Sequence, residues 1–158
     1  MAQHYLMSRK WSLTDRFAIT DEAGVPQFEV QGRMSLTARL SIRDASGTEV
    51  AAIRRAPFSR RHEIVADGQH ATVTPRGFFG RQYEIDSAAG HLEARGNFSG
   101  RQYVVTRDGT PAATVAQRPG LRERFAVEVA DGESPVLMLA VILVIETIRD
   151  ERRRAAAS

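Results

Sequence analysis

Apolar and polar residues alternate along most of the chain in short runs, and each run stops at a turn signal. Leu36, Ala38, Leu40 and Ile42 alternate with Thr37, Arg39, Ser41 and Arg43, the period of two that marks a half-buried strand. Phe17 and Ile19 lead into a turn at 20–24, and Phe28 and Val30 alternate with polar neighbours as far as Gly32. AspAlaSerGly at 44–47 is a hairpin turn from which Val50 to Ile53 returns. Further turns fall at Asp67-Gly68, Ala89-Gly90, Asp108-Gly109 and Asp131-Gly132. The runs predict twelve strands, near 4–8, 15–20, 26–31, 36–43, 48–55, 61–66, 69–75, 80–86, 91–95, 101–107, 112–117 and 122–129. So many short strands between regular turns argue for an all-β sandwich or barrel.

The pattern also repeats. FAITDEAGVPQFEVQGRM at 17–34 resembles YEIDSAAGHLEARGNF at 83–98, and LSIRDASGTEVAAIRR at 40–55 resembles VVTRDGTPAATVAQR at 104–118. Two pairs in the same order predict a doubled set of hairpins, each half supplying a curved sheet that closes on a shared core.

The last segment breaks the alternation. Ser134-Pro135 precedes ten apolar residues, Val136 to Ile145, and then GluThrIleArgAspGluArgArgArg. Ser as N-cap and Pro at the first helical position start a helix, and arginines suit its negative C-terminal end. The expected helix is about 18 residues long, with a tail from about 151 to 158. Its first part has no polar stripe, so it must be enclosed on every side or lie in lipid. Ten residues of helix span about 15 Å, half of a bilayer core. The strands must therefore wrap the helix.

Composition narrows the chemistry. The 158 residues fit one domain with a real core. There are no cysteines, which excludes disulfides, Cys-ligated metals and a thiol nucleophile. The net charge is +3, and it is local: RRAPFSRRH at 54–62 has four arginines and no acid, and RDERRR at 149–154 has four arginines and two acids. The remaining 14 basic and 17 acidic residues leave a slightly negative body, which is not the footprint of a dedicated nucleic-acid binder. The N-terminus has no apolar run of signal-peptide length. A cytoplasmic protein, peripheral to the membrane at most, is expected.

Taken together, YLMSRKWSLTDRFAITDEAG, FEVQGRMSL, LSIRDASGTEVAAIRR, GNFSGRQYVVTRDG and VLMLAVILVIETI resemble the LURP-one-related proteins of the tubby C-terminal-like clan, over about residues 5–150. The resemblance implies a closed twelve-stranded antiparallel β-barrel around a central apolar C-terminal helix. It also implies relatives among the phosphoinositide-binding tubby proteins and the phospholipid scramblases. No catalytic residue is carried over, and the scramblases' cysteine-rich segment and acidic calcium loop have no counterpart here. Asp15, Asp21 and Glu22 fit hairpin turns better than an oxygen cage.

No nucleophile elbow, P-loop, acid–base pair or metal motif occurs, so neither an enzyme, a cofactor nor a metal is expected. His4, His62, His70 and His91 read as solvated surface residues. The candidate site is the basic-aromatic loop: Arg54, Arg55, Arg60 and Arg61 hold a phosphate headgroup while Phe58 dips into the interface. The alternative is that Phe58 packs inward and the arginines form a solvated rim. PRGFFGR at 75–81 is a second cluster of the same kind, read as core or barrel cap. The expected function is a non-catalytic module docking on anionic phospholipid headgroups, with a protein-interaction scaffold as the alternative.

Overall fold

Strand alternation becomes the inside and outside of a single closed sheet. The computed structural model describes residues 2–8, 16–33, 39–56, 60–77, 82–117 and 124–157. The strands are β1 (Gln3–Ser8), β2 (Arg16–Thr20), β3 (Pro26–Arg33), β4 (Arg39–Asp44), β5 (Glu49–Arg55), β6 (His62–Ala66), β7 (Gln69–Arg76), β8 (Gln82–Ser87), β9 (Gly90–Asn97), β10 (Gln102–Arg107), β11 (Thr110–Ala116) and β12 (Arg124–Val129). Each pairs antiparallel with its chain neighbours, and β1 closes the ring by pairing with β12 from Gln3↔Val129 to Ser8↔Arg124. The halves of the internal repeat do not form separate sheets, because the strand order runs once round without interruption.

The repeat is nevertheless visible in the backbone. Gly32 in β3 and Gly96 in β9 both have positive φ, 116° and 137°. A Cβ on Gly32 would lie 2.2 Å from the Arg39 carbonyl oxygen, and one on Gly96 2.6 Å from that of Gln102. Both glycines therefore sit where the next strand's backbone approaches too closely for a side chain. The hairpin acids behave as expected. The Asp21 carboxylate accepts from the backbone N–H of Ala23 and Val25, both at 2.9 Å, and Asp44 caps its own turn through Ser46 and Thr48. Asp15 lies outside the described residues.

Helix α1 (Pro135–Ala157) fills the barrel. The backbone N–H of Leu137 donates to Ser134 Oγ at 3.2 Å, so Ser134 is the N-cap. Val136 to Ile145 are all at most 8 % exposed. Their β-branched members are mediocre helix formers, but burial outweighs propensity. An eight-stranded barrel is filled by its own side chains, whereas twelve strands leave a lumen wide enough for a helix of about 10 Å diameter. Small and medium side chains such as Ala51, Ala71 and Ala94 face inward and make that room. The helix has 23 residues and continues through the segment expected as a tail. Arginine and alanine, which make up 152–157, are strong helix formers.

Candidate functional site

The two ends of the barrel are built differently. At one end the turns are short, as at Asp67-Gly68 and Asp108-Gly109. At the other end are the connections that follow β1, β3, β5, β7, β9 and β11, on the whole the longer set. Helix α1 enters at the short-turn end, where Ser134 Oγ donates to the Asp67 carboxylate at 3.0 Å. It leaves at the long-connection end, where Arg149 Nη2 donates to the Ser99 carbonyl at 3.2 Å. The arginine-rich segments 54–62 and 149–154, nearly 90 residues apart in sequence, therefore meet at one end.

A cleft of about 220 Å³ opens there. Arg55 comes from the last position of β5, Arg60 and His62 from the β5–β6 connection and the start of β6, and Pro75 from β7. Ile148, Glu151 and Arg152 come from the last turns of α1. Arg55 Nη1 donates to Glu151 Oε1 at 2.9 Å. Among the described lining residues three guanidinium groups stand with one carboxylate, a composition suited to an anion.

His62 corrects the reading of the histidines as solvated. It pairs in register with Arg55 across the β5–β6 ladder and is only 1 % exposed. Neither ring nitrogen makes a hydrogen bond of good geometry among the described residues, although the Arg60 backbone is placed to favour the charged ring. Burial, and then the charge of Arg55, lower its pKa to about 4, against the opposing hydrogen-bonding influence of the Arg60 backbone. The ring is therefore neutral at pH 7, and a buried unsatisfied polar group costs about 1–3 kcal/mol. His62, Ile64 and Ala66 share one face of β6; that alternation was present in the sequence and marks the histidine as inward. His4, His70 and His91 are exposed, as expected.

The other residues of the predicted loop are divided. Arg54 points to the outer wall, where its Nη2 donates to Glu63 Oε2 at 2.7 Å. Arg61 is exposed and contributes to holding the Glu63 carboxyl below its ordinary value, after Arg54. Phe58 lies outside the described residues, as do Phe78 and Phe79 of the second cluster. Within that cluster Pro75 lines the cleft and Arg76 pairs with Glu84 at 2.9 Å.

Behind the cleft lies a polar cluster with no signal in the sequence beyond one acid at the end of an apolar run. Arg101 Nε donates to Glu146 Oε1 at 2.7 Å and the Tyr103 hydroxyl donates to Oε2 at 3.0 Å. The two charged side chains are 3 % and 0 % exposed. The Arg101 guanidinium also lies 5.1 Å from the Phe125 ring centroid. Burial pushes the Glu146 carboxyl up against the pull of Arg101 and Tyr103, and keeps Tyr103 well above its ordinary value. With no solvent access, this cluster is a structural clamp between α1 and the β9–β10 connection.

On the outer wall the β8–β9 register brings Glu84 opposite Glu93, with His91 two residues before it. These three present ligand atoms within 4.8 Å of one another. Glu84 and Glu93 are only partly buried and His91 is exposed, and His91 Nδ1 is already 2.8 Å from Asp86, which raises its pKa. Nothing further at this cluster points to a bound ion.

With the barrel and its basic end described, the likeness to known proteins falls into place. The family model for LURP-one-related proteins matches residues 3–146, and the chain belongs to that family. The crystal structure of an Arabidopsis thaliana protein superposes with a TM-score of 0.69 at 17 % identity, covering 94 % of this chain and 91 % of that one. At that identity the likeness shows the fold, a closed twelve-stranded barrel with one C-terminal helix. No match is found among the curated proteins. Family and fold fit a non-catalytic binding module. Among the described residues no helix is long and apolar enough to cross a membrane.

Proposed function

We propose that the chain is a non-catalytic module that docks the long-connection end of its barrel on anionic phospholipid headgroups, as a peripheral protein of the cytoplasmic membrane face. The observation that carries this reading is the cleft whose described lining brings Arg55, Arg60 and Arg152 together with the Glu151 carboxylate. The lumen is filled by α1, so a ligand meets the end of the barrel and not its interior. The family's structural relatives, tubby proteins and scramblases, lend analogy only. On the outer wall Arg16, Arg54, Arg76 and Arg95 each pair with a glutamate within 3.0 Å. That carpet of neutralised pairs is unlike the basic stripe that tracks a nucleic-acid backbone.

Each arginine near an anionic surface contributes about 1 kcal/mol, so three amount to roughly a hundredfold in binding. Physiological salt screens much of this beyond a Debye length of about 8 Å. Co-sedimentation with phosphatidylglycerol-containing and pure phosphatidylcholine vesicles tests the reading at low and physiological salt. Wild type should bind the anionic vesicles in a salt-sensitive way, and Arg55→Gln/Arg60→Gln/Arg152→Gln should not. An outer-wall variant, Arg16→Gln/Arg76→Gln/Arg95→Gln, should bind like wild type. Equal binding to both vesicles, or none to either, overturns the reading and turns the search to protein partners.

A further inference from the structure

His62 gives the cleft a property that a ring of arginines alone would lack. An arginine cleft captures anions with nearly the same strength across the neutral and mildly acidic range, because guanidinium groups do not titrate there. His62 forms part of the cleft lining, is 1 % exposed, and leaves both ring nitrogens without a hydrogen bond of good geometry among the described residues. A buried orphan of this kind calls for a functional explanation. The charged groups among the described lining residues are Arg55 from β5, Arg60 from the connection before His62, and Glu151 and Arg152 from α1. From β7 the described lining residue is Pro75. The acid among the described lining residues is Glu151, and Arg55 already holds it at 2.9 Å.

We infer that the cleft seats one tetrahedral dianion of the phosphate-monoester class, which takes the place of Glu151 at Arg55 and draws a proton from solvent onto His62 as it binds. The inference rests on the reading that this end of the barrel meets anions, and adds the ligand's class and its coupling to pH. The excess of guanidinium groups over carboxylates among the described lining residues suits a dianion better than the single charge of a phosphodiester. A terminal phosphate can also enter a recess that a phosphate substituted on both sides cannot. A dianion beside the imidazole favours its charged form, and the imidazolium has two donors where the neutral ring has one. Binding and protonation therefore strengthen each other. The phosphate could belong to a lipid headgroup or to a free phosphorylated molecule, and the test separates the two.

Sulfate is the probe, because it remains a dianion throughout the range and any pH dependence then belongs to the protein. Its affinity for wild type should rise as pH falls from 7.5 to 5, by at most about tenfold per unit. Calorimetry in two buffers of different ionisation enthalpy should show proton uptake on binding. His62→Gln should still bind sulfate but with a flattened pH profile, although it retains the other three histidines. Ring-nitrogen NMR of wild type reads His62 directly should that variant fail to fold, and sulfate should move the ring's titration upward. A pH-independent affinity, or an unmoved His62 resonance, overturns the inference. Vesicles carrying phosphatidic acid or phosphatidylglycerol at matched surface charge complete the test. Vesicle binding with pH-independent sulfate binding overturns the inference and leaves membrane docking standing. His62-dependent sulfate binding without vesicle binding supports it, assigns the phosphate to a free molecule and overturns the docking.

Discussion

Arg55 and Glu151, 96 residues apart in sequence, meet at 2.9 Å where β5 ends and α1 leaves the barrel. The contact joins the two arginine-rich stretches into one end, and it sets an acid beside the groups that would receive an anion. Glu151→Gln keeps the shape and removes that charge. Both side chains are part-exposed, 24 % and 31 %, so the loss of stability should stay below about 1 kcal/mol. Sulfate and anionic vesicles should bind roughly fivefold tighter, the equivalent of about 1 kcal/mol of relieved repulsion. Weaker binding by this variant would mean that Glu151 orders the cleft and does not compete in it.

The Arg101–Glu146 pair answers to the opposite rule, because it is out of water. Removing one partner of a buried ion pair costs about 3–5 kcal/mol, whereas replacing the whole set by apolar groups of similar volume can be neutral. Glu146→Gln should therefore lower stability strongly, leaving Arg101 charged beside the Phe125 ring with no counter-charge at hydrogen-bond distance. Arg101→Met/Tyr103→Phe/Glu146→Leu should recover most of the loss. Urea unfolding of both variants decides it. A combined variant less stable than Glu146→Gln would show that the cluster adds net stability.

Gly96→Ala places a methyl group 2.6 Å from the Gln102 carbonyl oxygen and 2.7 Å from the Tyr103 Cα, at φ 137°. Both contacts are backbone and cannot swing aside, so a loss of about 3 kcal/mol or more is expected. Gly109→Ala is the control. Its φ is 79° and nothing lies within 4 Å of the added Cβ, so only the left-handed backbone penalty of about 1–2 kcal/mol applies. Equal thermal shifts for the two would mean that β9 and β10 move apart at no cost.

The barrel was legible because each strand carries its own inside–outside alternation, and the enclosed helix because Val136 to Ile145 offers no polar face. Observed strand ends lie within three residues of those expected. The site was legible only in part. Arg55 and Arg60 were recognised as a basic loop, but Arg152, which completes the cleft, lies on α1. Its proximity depends on the helix running the length of the barrel, which no local pattern encodes. Arg54 shows the same limit from the other side. It is adjacent to Arg55, but the period of two sends it outward to Glu63.

Deleting residues 134–158 should prevent folding. The Val, Leu, Ile and Met side chains from Val136 to Ile145 contribute roughly 1.5–3 kcal/mol each through burial, and their sum is as large as or larger than the roughly 5–15 kcal/mol that separates a typical fold from its unfolded chain. Without them the inward faces of the strands would border a water-filled lumen. Circular dichroism of the shortened chain should show no cooperative thermal transition. A cooperative melt would mean that the barrel collapses on itself and that α1 is an addition to a fold already stable.

His62 also predicts how the fold fails in acid. The unfolded chain protonates this histidine near 6.5, while the native ring stays neutral down to about 4. The unfolded state thus binds the extra proton first, and stability falls as pH drops from 6.5 towards 4. The full effect is on the order of 3 kcal/mol. His91 works the other way, since Asp86 raises its pKa, but its exposure leaves that contribution small. Asp44 and Glu63, whose carboxyls are held below their ordinary values, lose their share only at lower pH. Urea midpoints measured from pH 7 to 4 should therefore fall steeply for wild type and much less for His62→Gln. Sulfate should restore wild type at pH 5 and leave His62→Gln less changed, because a bound dianion favours the protonated ring that the empty fold resists. Parallel slopes for the two proteins would place the acid sensitivity elsewhere in the barrel.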